Sequence, residues 1–285
     1  MLKKGCLGTL FFILLLVIVG TAVAWMQGRA MPRGKPEYVA LGSSFAAGAG
    51  LGKLEPGSPL LCARSINGYP QQLARLLKLS IVDMSCGGAT SDHVLNGGQW
   101  FQGPQIRTIS NVTRLVTITV GGNDIGYIGD LSQLAARHSN NLWGWLVRHF
   151  WKGPAEDRDY GHLRSNLIAT LDQIHRRAPQ ATVVIATYPT ILPNAGTCPR
   201  LRLSAEEADQ MRQVAAQLAA ITRSTATARD LLVDMNAIGA AHNACSTAPW
   251  TRGWTNGGIA PFHPTLAGAQ ATAKAIADAL HDRRM

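Results

Sequence analysis

The stretch YVALGSSFAAGAG, residues 38 to 50, joins a short apolar run to a pair of serines and then to a series of small residues. An apolar run without clear alternation is typical of a strand that is buried on both faces. A serine directly after such a strand lies at a strand-to-helix turn, where its hydroxyl group and its own N–H are open to a ligand. The stretch therefore predicts the first strand of a parallel sheet, with one of the two serines as a candidate nucleophile.

Strand patterns and helical patterns alternate along the chain from Pro36 onward. The strand patterns cover Tyr38–Leu41, Ser80–Met84, Leu115–Val120, Thr182–Ala186 and Leu231–Asp234. The main helical patterns cover Pro70–Leu77, Arg164–Arg177, Ser204–Ala228 and Leu266–Ala279. This alternation predicts an α/β fold in which helices cover both faces of a parallel sheet.

The residues that follow the predicted strands are small and polar. In open parallel sheets, ligands bind at the carboxyl ends of the strands. Four stretches would meet at that edge of the sheet: Gly42-Ser43-Ser44, SCGGAT at 85–90, GGNDIG at 121–126, and PFHPTLAG at 261–268 before the last predicted helix. We therefore expect the functional site to be built from these four stretches.

The three parts that ester hydrolysis by a serine requires have candidates in these stretches. The nucleophile would be one of the two serines after the first strand. The backbone N–H of Gly88 can approach a substrate closely because glycine has no Cβ, and the Asn123 amide can donate a hydrogen bond at any pH. His263, in a turn before a predicted helix, is the natural general base.

Four ordered blocks, YVALGSSF, SCGGAT, VTITVGGND and FHPTLAG, resemble those of the SGNH, or GDSL, hydrolase family. The resemblance extends from about Glu37 to Ala279, and the chain is most similar to the secreted, disulfide-containing actinobacterial lipases and esterases. It implies a three-layer α/β/α sandwich around a five-stranded parallel sheet, as in flavodoxin-like folds. It also implies a carboxylic-ester hydrolase that acts on a small-molecule or lipid ester and needs neither a metal nor an organic cofactor.

The resemblance also assigns roles to individual residues. Gly42-Ser43-Ser44 takes the place of the family's Gly-Asp-Ser, so Ser44 would be the nucleophile and Ser43 would replace the aspartate. The N–H groups of Ser44 and Gly88 and the amide of Asn123 match the family's oxyanion hole. His263 matches the general base.

Ser43 is one departure from the family pattern, and a second lies near the histidine. The family's triad acid lies three residues before the histidine, and that position is Ala260 in this chain. Asp234 is the last residue of a predicted strand and is the alternative acid, although strand-end aspartates commonly cap loops. We predict a Ser-His dyad in which a backbone carbonyl, from the TNGGIAP loop at 255–261, orients the imidazole.

Two other functions remain open at this point. The Gly42-x-Ser44-x-Ala46 pattern resembles the nucleophile elbow of the α/β-hydrolases, although that fold places its serine in the middle of the chain. A non-catalytic lipid- or carbohydrate-binding module on a decayed hydrolase scaffold would explain the missing carboxylates. The first alternative differs from the predicted hydrolase in its fold. The second differs in having no catalytic activity.

The N-terminal segment differs from the rest of the chain. A basic start, with Lys3 and Lys4, precedes 18 uncharged residues from Thr9 to Met26. The segment is either a signal peptide cleaved after Ala24 or a membrane anchor, and both imply export of the remainder. We thus divide the chain into a signal peptide or anchor at 1–26, a linker at 27–36 and a hydrolase domain at 37–285.

The cysteines agree with export. Cys62, Cys86, Cys198 and Cys245 follow the apolar segment, and an even number is typical of disulfides in an oxidising compartment. Four cysteines allow three pairings, of which nearness in sequence favours Cys62–Cys86 and Cys198–Cys245. The resemblance supports the first pair.

Neither the net charge nor the residue spacing indicates a nucleic-acid or metal partner. The formal net charge is +10, but no nucleic-acid-binding motif accompanies it, and no histidine or cysteine spacing indicates a metal site. The aromatic stretch NLWGWLVRHFW at 141–151 predicts either a core helix or an amphipathic element that contacts lipid or covers the acyl pocket. Gln99–Phe101 is predicted to join the same aromatic surface.

Overall fold

A computed structural model describes residues 2–30, 34–255 and 258–283. Parts of three predicted units lie outside the described residues: Met1 of the N-terminal segment, 31–33 of the linker, and 256–257 and 284–285 of the hydrolase domain.

The central sheet has five parallel strands, as the sequence predicts. They are β1 (Tyr38–Gly42), β2 (Ile81–Asp83), β3 (Leu115–Thr119), β4 (Thr182–Ala186) and β5 (Asp230–Val233). The strand order is β2-β1-β3-β4-β5, with Tyr38 beside Leu115 and Gly42 beside Thr119. The α/β fold is therefore confirmed, and the predicted strand ends differ from the observed ones by one residue or none at most positions.

Helices pack on both faces of this sheet. Ten α-helices lie among the described residues: α1 (Leu2–Arg29), α2 (Ser44–Ala47), α3 (Tyr69–Leu77), α4 (Ser91–Leu95), α5 (Tyr127–Arg137), α6 (Leu142–Phe150), α7 (Tyr160–Arg177), α8 (Ala205–Thr225), α9 (Met235–Ile238) and α10 (Leu266–Asp282). α7 begins earlier than predicted because the Asp159 side chain caps it by accepting from the His162 N–H at 2.7 Å. α8 ends earlier because Ala226 has an extended backbone.

The strands divide their side chains between two cores, as expected for a sheet that is covered on both faces. Val39 and Leu41 point into a core that includes residues of α5, α7 and α8. Tyr38 and Ala40 point into a second core that includes residues of α3 and α10. Every residue of β1 and β3 is buried. The central strands therefore form a rigid support for the loops at their carboxyl ends.

Two disulfides tie loops to this framework. Cys62 is bonded to Cys86, and Cys198 to Cys245, which are the two pairings that nearness in sequence favours. The first joins a short 3₁₀ turn, Leu60–Cys62, to the loop after β2. It thereby holds a surface turn against one of the four predicted site stretches.

The N-terminal helix is long and apolar. Within α1, the 19 residues Phe11–Arg29 have a mean hydropathy of 2.1, and nearly all of them are exposed. Length and composition are sufficient for a membrane span, and a signal sequence has the same properties.

Gly42 makes the turn between β1 and the serines possible. Its φ is +139°, and a Cβ at this position would collide with the backbone carbonyl of Thr119 on the neighbouring strand. Its N–H donates to the Gln105 side chain at 2.8 Å, and its carbonyl accepts from the Cys86 N–H at 3.0 Å. Gly42 therefore joins β1, β3 and the loop after β2 at one point.

We expect Gly42→Ala to destabilise the protein strongly, because neither the backbone of Thr119 nor the φ of residue 42 can accommodate a side chain. The expected loss in the free energy of unfolding is at least about 2 kcal/mol, measured by urea denaturation. Gly129→Ala is the matched control: this exposed position in α5 has open space around its Cβ, and the change should stabilise by about 0.5–1 kcal/mol. Equal stability of the two variants would show that Gly42 does not constrain the fold.

Candidate active site

The four stretches named above supply the parts of a site at the carboxyl end of the sheet. Ser44 is the first residue of α2, directly after β1, and Asn123 lies in the loop after β3. The strand order reverses between β1 and β3, since β2 lies on the far side of β1. Ligands of doubly wound sheets bind at such a reversal.

Ser44 and His263 are in direct contact. The Nε2 atom of His263 lies 2.8 Å from the Ser44 Oγ, although the two residues are 219 positions apart in the sequence. Ser44 keeps 8% of its surface exposed, whereas Ser43 has none. Of the two adjacent serines, only Ser44 therefore combines a hydrogen bond to an imidazole with access to a ligand.

A backbone carbonyl orients the histidine. The Nδ1–H of His263 donates to the Pro261 carbonyl at 2.8 Å. Because a carbonyl oxygen only accepts, the proton lies on Nδ1, and Nε2 is free to accept from the Ser44 hydroxyl. Pro261 is the last residue of the loop from which such a carbonyl is predicted. Residues 256–257 of that loop lie outside the described part of the chain.

No carboxylate contacts this histidine among the described residues. Ala260, at the position of the family's acid, is a buried alanine. Asp234 caps α9, forms an ion pair with Arg223 at 2.7 Å and accepts from the Thr187 hydroxyl at 2.9 Å. These partners account for Asp234 as a structural residue.

The surroundings of His263 favour its neutral form. Burial of the imidazole is the main cause that lowers the pKa of His263, and the positive charge of Arg252 lowers it further. The hydrogen bond to Pro261 acts in the opposite direction. The net result is a base that stays unprotonated below the usual pKa of histidine, about 6.5.

Arg252 also ties the histidine loop to the turn after α2. Its backbone N–H donates to the His263 carbonyl at 2.9 Å, and its Nη2 donates to the Gly50 carbonyl at 3.1 Å. Gly50 belongs to the turn that follows α2, the helix that begins with Ser44. Arg252 thus connects the two segments that carry Ser44 and His263, a role for which the sequence contains no recognisable signal.

Gly88 and Asn123 lie in the loops after β2 and β3, which are in contact with each other. Gly88 is exposed, with φ +79°, and no described group accepts from its N–H. The Asn123 amide donates to the carbonyl of the next residue, Ala89, at 2.8 Å. One amide hydrogen is used in this way, and the second is available to a ligand.

Asp124 holds the loop that carries Asn123. Its carboxylate accepts from the N–H and from the hydroxyl of Ser91, at the start of α4. Burial raises the pKa of Asp124, while the two bonds from Ser91 lower it. The residue is therefore an anchor between the loops after β2 and β3.

Ser43 is a buried structural residue. Its hydroxyl lies 2.7 Å from the Tyr188 hydroxyl, which also accepts from the Gly122 N–H at 3.2 Å. Burial raises the pKa of Tyr188 to about 12, so this network is uncharged. The serine–tyrosine pair thus links the loops after β1, β3 and β4 where the family pattern has an aspartate, and the sequence alone does not indicate Tyr188.

The described residues contain no group of three or more histidine, cysteine, aspartate or glutamate side chains placed to hold a metal ion.

Comparisons with known proteins show the family of this chain. The model of the GDSL-like Lipase/Acylhydrolase family matches residues 40–271. A lipase of Streptomyces rimosus is 31% identical over 241 residues, covering 81% of this chain and 82% of the relative, and Lipase 2 of Streptomyces coelicolor is 29% identical over 263 residues, covering 86% and 85%.

Two crystal structures are also similar. The extracellular lipase of S. rimosus matches with a TM-score of 0.64 at 28% identity, covering 85% of this chain and 98% of that one. Phospholipase A1 of Streptomyces albidoflavus matches with a TM-score of 0.67 at 26% identity, covering 87% and 99%. Both fold and sequence thus point to the same group of proteins.

We expect Arg252→Met to raise the pKa of His263, because the variant removes a positive charge that disfavours the imidazolium. NMR titration of the His263 ring should give a midpoint below about 6.5 in the unchanged protein and a higher midpoint in the variant. Arg229→Met, at the opposite edge of the sheet, is the control and should leave the midpoint unchanged. A midpoint that stays constant or falls in Arg252→Met would contradict this electrostatic role.

Proposed function

The chain belongs to the GDSL-like Lipase/Acylhydrolase family and is a carboxylic-ester hydrolase, and from that premise we propose that Ser44 and His263 catalyse its reaction as a dyad. The observation that carries the proposal is the 2.8 Å hydrogen bond between the Ser44 hydroxyl and the His263 Nε2. A nucleophile within hydrogen-bond reach of a base that a third group orients is the arrangement that activates a serine.

In the acylation step, the Ser44 Oγ attacks the carbonyl carbon of the ester while its proton passes to the Nε2 of His263. The tetrahedral intermediate then collapses. The bond to the alcohol oxygen breaks, and His263 returns the proton to that oxygen. The products of this half-reaction are the free alcohol and an ester of Ser44.

Water completes the reaction. His263, neutral again, takes a proton from a water molecule that attacks the acyl-enzyme. A second tetrahedral intermediate releases the carboxylic acid, and the proton on Nε2 returns to the Ser44 Oγ. Each half-reaction therefore needs an imidazole that is unprotonated at its start, which the lowered pKa of His263 supports.

Both intermediates carry a negative oxygen that needs donors. We assign this function to the N–H groups of Ser44 and Gly88 and to the second amide hydrogen of Asn123. The first N–H of a helix has no partner inside the helix, and the Gly88 N–H has no described acceptor. Donors that are held in place before the reaction stabilise the intermediate without reorganising.

A carbonyl in place of the family's acid is sufficient for the orienting function. The Pro261 carbonyl fixes the tautomer and the ring angle through Nδ1. Since it carries only a partial negative charge, it stabilises the imidazolium less than a carboxylate would. We infer a working dyad whose base has a lower pKa than that of a triad.

The two alternative functions have less support than the dyad. An α/β-hydrolase fold is wrong for this chain, because its nucleophile follows the first strand of a parallel sheet with the order β2-β1-β3-β4-β5. A decayed, non-catalytic module has no need for the Ser44–His263 hydrogen bond. Absence of labelling at Ser44 by a fluorophosphonate probe in folded protein would favour that module.

The chain is exported, and we propose that its substrates are acyl lipids. Two disulfides agree with an oxidising compartment. The S. rimosus relative is described as an extracellular lipase, and the S. albidoflavus protein as a phospholipase A1. The length of the acyl chain can be tested directly with a series of p-nitrophenyl esters.

We expect Ser44→Ala to lower kcat for p-nitrophenyl butyrate by at least about 10⁴-fold, since loss of a serine nucleophile removes the covalent route. Ser224→Ala, at an exposed position near the end of α8, is the control and should retain full activity. A Ser44→Ala enzyme with the native rate would refute the dyad.

We expect Asn123→Ala to lower kcat by about 10²–10³-fold with little change in KM, because the amide would act mainly on the charged intermediate. Asn111→Ala, in an exposed turn before β3, serves as the control. Steady-state kinetics on the same ester distinguish the outcomes, and a change confined to KM would assign Asn123 to substrate binding instead.

A further inference from the structure

We propose that a patch of exposed apolar side chains beside α1 enters the outer leaflet of a lipid bilayer, and that the enzyme takes its ester from that bilayer. The patch consists of Leu60, Leu61, Trp100 and Phe101, whose surfaces are 63, 48, 48 and 48% exposed. We call it the rim patch. The inference rests on the proposed function, since it specifies where that function finds its substrate, and it takes α1 as the membrane anchor, not as a cleaved signal peptide.

The N-terminal helix supplies the first argument. Phe11–Arg29 is long enough to cross a bilayer and is exposed to the surroundings along most of its length. Trp25 lies near the end of the apolar run, and the Arg29 guanidinium packs over its ring at 5.1 Å. Tryptophan and arginine at the end of an apolar helix are typical of the membrane–water interface.

The end of this helix is attached to the catalytic domain. The Gln27 side chain accepts from the Leu60 N–H at 3.2 Å, and Arg107 donates to the Ala30 carbonyl at 3.1 Å. Gly28 lies so close to the backbone of Trp100 that a Cβ would collide with it. The domain is therefore held directly against the helix, with part of the rim patch at the contact.

The attachment to α1 sets how deep the rim patch lies in a bilayer that α1 crosses. An apolar groove of about 540 Å³ separates α1 from the patch. Its walls are Val17, Gly20, Thr21 and Ala24 on the helix and Leu61, Gly98, Trp100 and Phe101 on the domain. Val17 is eight residues before Trp25, or about 12 Å along the helix axis. A bilayer that covers this part of α1 thus also covers Trp100 and Phe101, and acyl chains would fill the groove.

The backbone of the rim patch is held in an unusual conformation. Trp100 and Phe101 have φ values of +49° and +63°, which bulky residues rarely adopt. The Gln102 N–H closes this turn on the Gln99 carbonyl at 2.8 Å, and the Gly98 N–H donates to the Gln102 carbonyl at 2.7 Å. Such conformations cluster at functional segments. Here the conformation exposes the rings of Trp100 and Phe101, and exposure of apolar rings to water is unfavourable.

The rim patch is also joined to the predicted oxyanion loop. The Gln99 side chain, next to Trp100, donates to the Gly87 carbonyl at 2.7 Å, one residue before Gly88. On the other side, the Cys62–Cys86 disulfide links the turn of Leu60 and Leu61 to the same loop. A lipid that leaves the bilayer at the rim patch therefore arrives beside the donors that would receive its ester carbonyl.

Another exposed aromatic surface provides an internal control. Trp143 and Trp145 on α6 are 50 and 45% exposed, and no described contact joins them to α1 or to the rim patch. If any exposed tryptophan were sufficient for lipid contact, the two surfaces would behave alike.

The location of Trp100 can be measured with the full chain reconstituted in phosphatidylcholine vesicles that contain brominated acyl chains. Bromine quenches nearby tryptophan, so the unchanged protein should lose a larger fraction of its fluorescence than Trp100→Phe. Trp143→Phe is the matched control and should not reduce the quenched fraction. Equal quenching of the unchanged protein and Trp100→Phe would place Trp100 outside the bilayer and overturn the proposal.

The function of the rim patch can be measured with the double variant Trp100→Ser/Phe101→Ser. Hydrolysis of a phospholipid in the vesicles should fall at least about tenfold, since interfacial binding scales with buried apolar area, while hydrolysis of soluble p-nitrophenyl acetate stays unchanged. The control double variant Trp143→Ser/Trp145→Ser should retain both activities.

The outcomes separate the two proposals. Equal vesicle activity of the rim-patch and control variants would overturn the membrane contact, and so would a rim-patch variant whose only change is its oligomeric state, because the patch would then bind a second copy. Failure of the proposed dyad would instead appear in Ser44→Ala acting on the soluble ester, an assay that needs no membrane.

Discussion

The candidate site depends on the lack of a Cβ atom at Gly42. The strand β1 ends against the Thr119 carbonyl of β3, at a distance that leaves no room for a Cβ. The chain can therefore turn there, so that Ser43 faces inward to Tyr188 and Ser44 faces His263. Because the carbonyl of Gly42 also accepts from Cys86, the same residue sets the position of the loop that carries Gly88. Backbone geometry at one point thus places both the proposed nucleophile and a proposed donor of the oxyanion hole.

The electrostatics around His263 follow from the lack of a carboxylate in contact with it among the described residues. In a triad, the acid stabilises the imidazolium and raises the pKa of the base. In this chain, partial burial and Arg252 both act to keep His263 neutral, and only the Pro261 carbonyl opposes them. The base is weaker but remains available at mildly acidic pH. The buried Ser43–Tyr188 pair is likewise uncharged, whereas a buried aspartate at position 43 would require compensating donors.

Much of the fold and of the candidate site could be predicted from the sequence because both depend on local patterns of residues. The apolar runs of β1, β3 and β4 are buried on both faces and unambiguous, and the chemistry after each strand follows from the topology of parallel sheets. Helix α5 was missed because it begins directly after the GGNDIG loop without a capping side chain. Tyr188, Gln105 and Arg252 were missed for a different reason. They act through contacts between distant segments, and single residues of these types have no recognisable sequence signal.

The disulfide between Cys62 and Cys86 connects the chemistry with the exterior of the molecule. It joins a surface turn, which carries exposed Leu60 and Leu61, to the loop that carries Gly88. The Gln102 side chain donates to the Cys62 sulfur at 2.9 Å and so holds the neighbouring aromatic turn to the same bond. A substrate that is dispersed in water would gain little from apolar side chains at this position. An ester that leaves a bilayer at the rim patch would instead arrive beside the loop of Gly88, one of the proposed oxyanion donors.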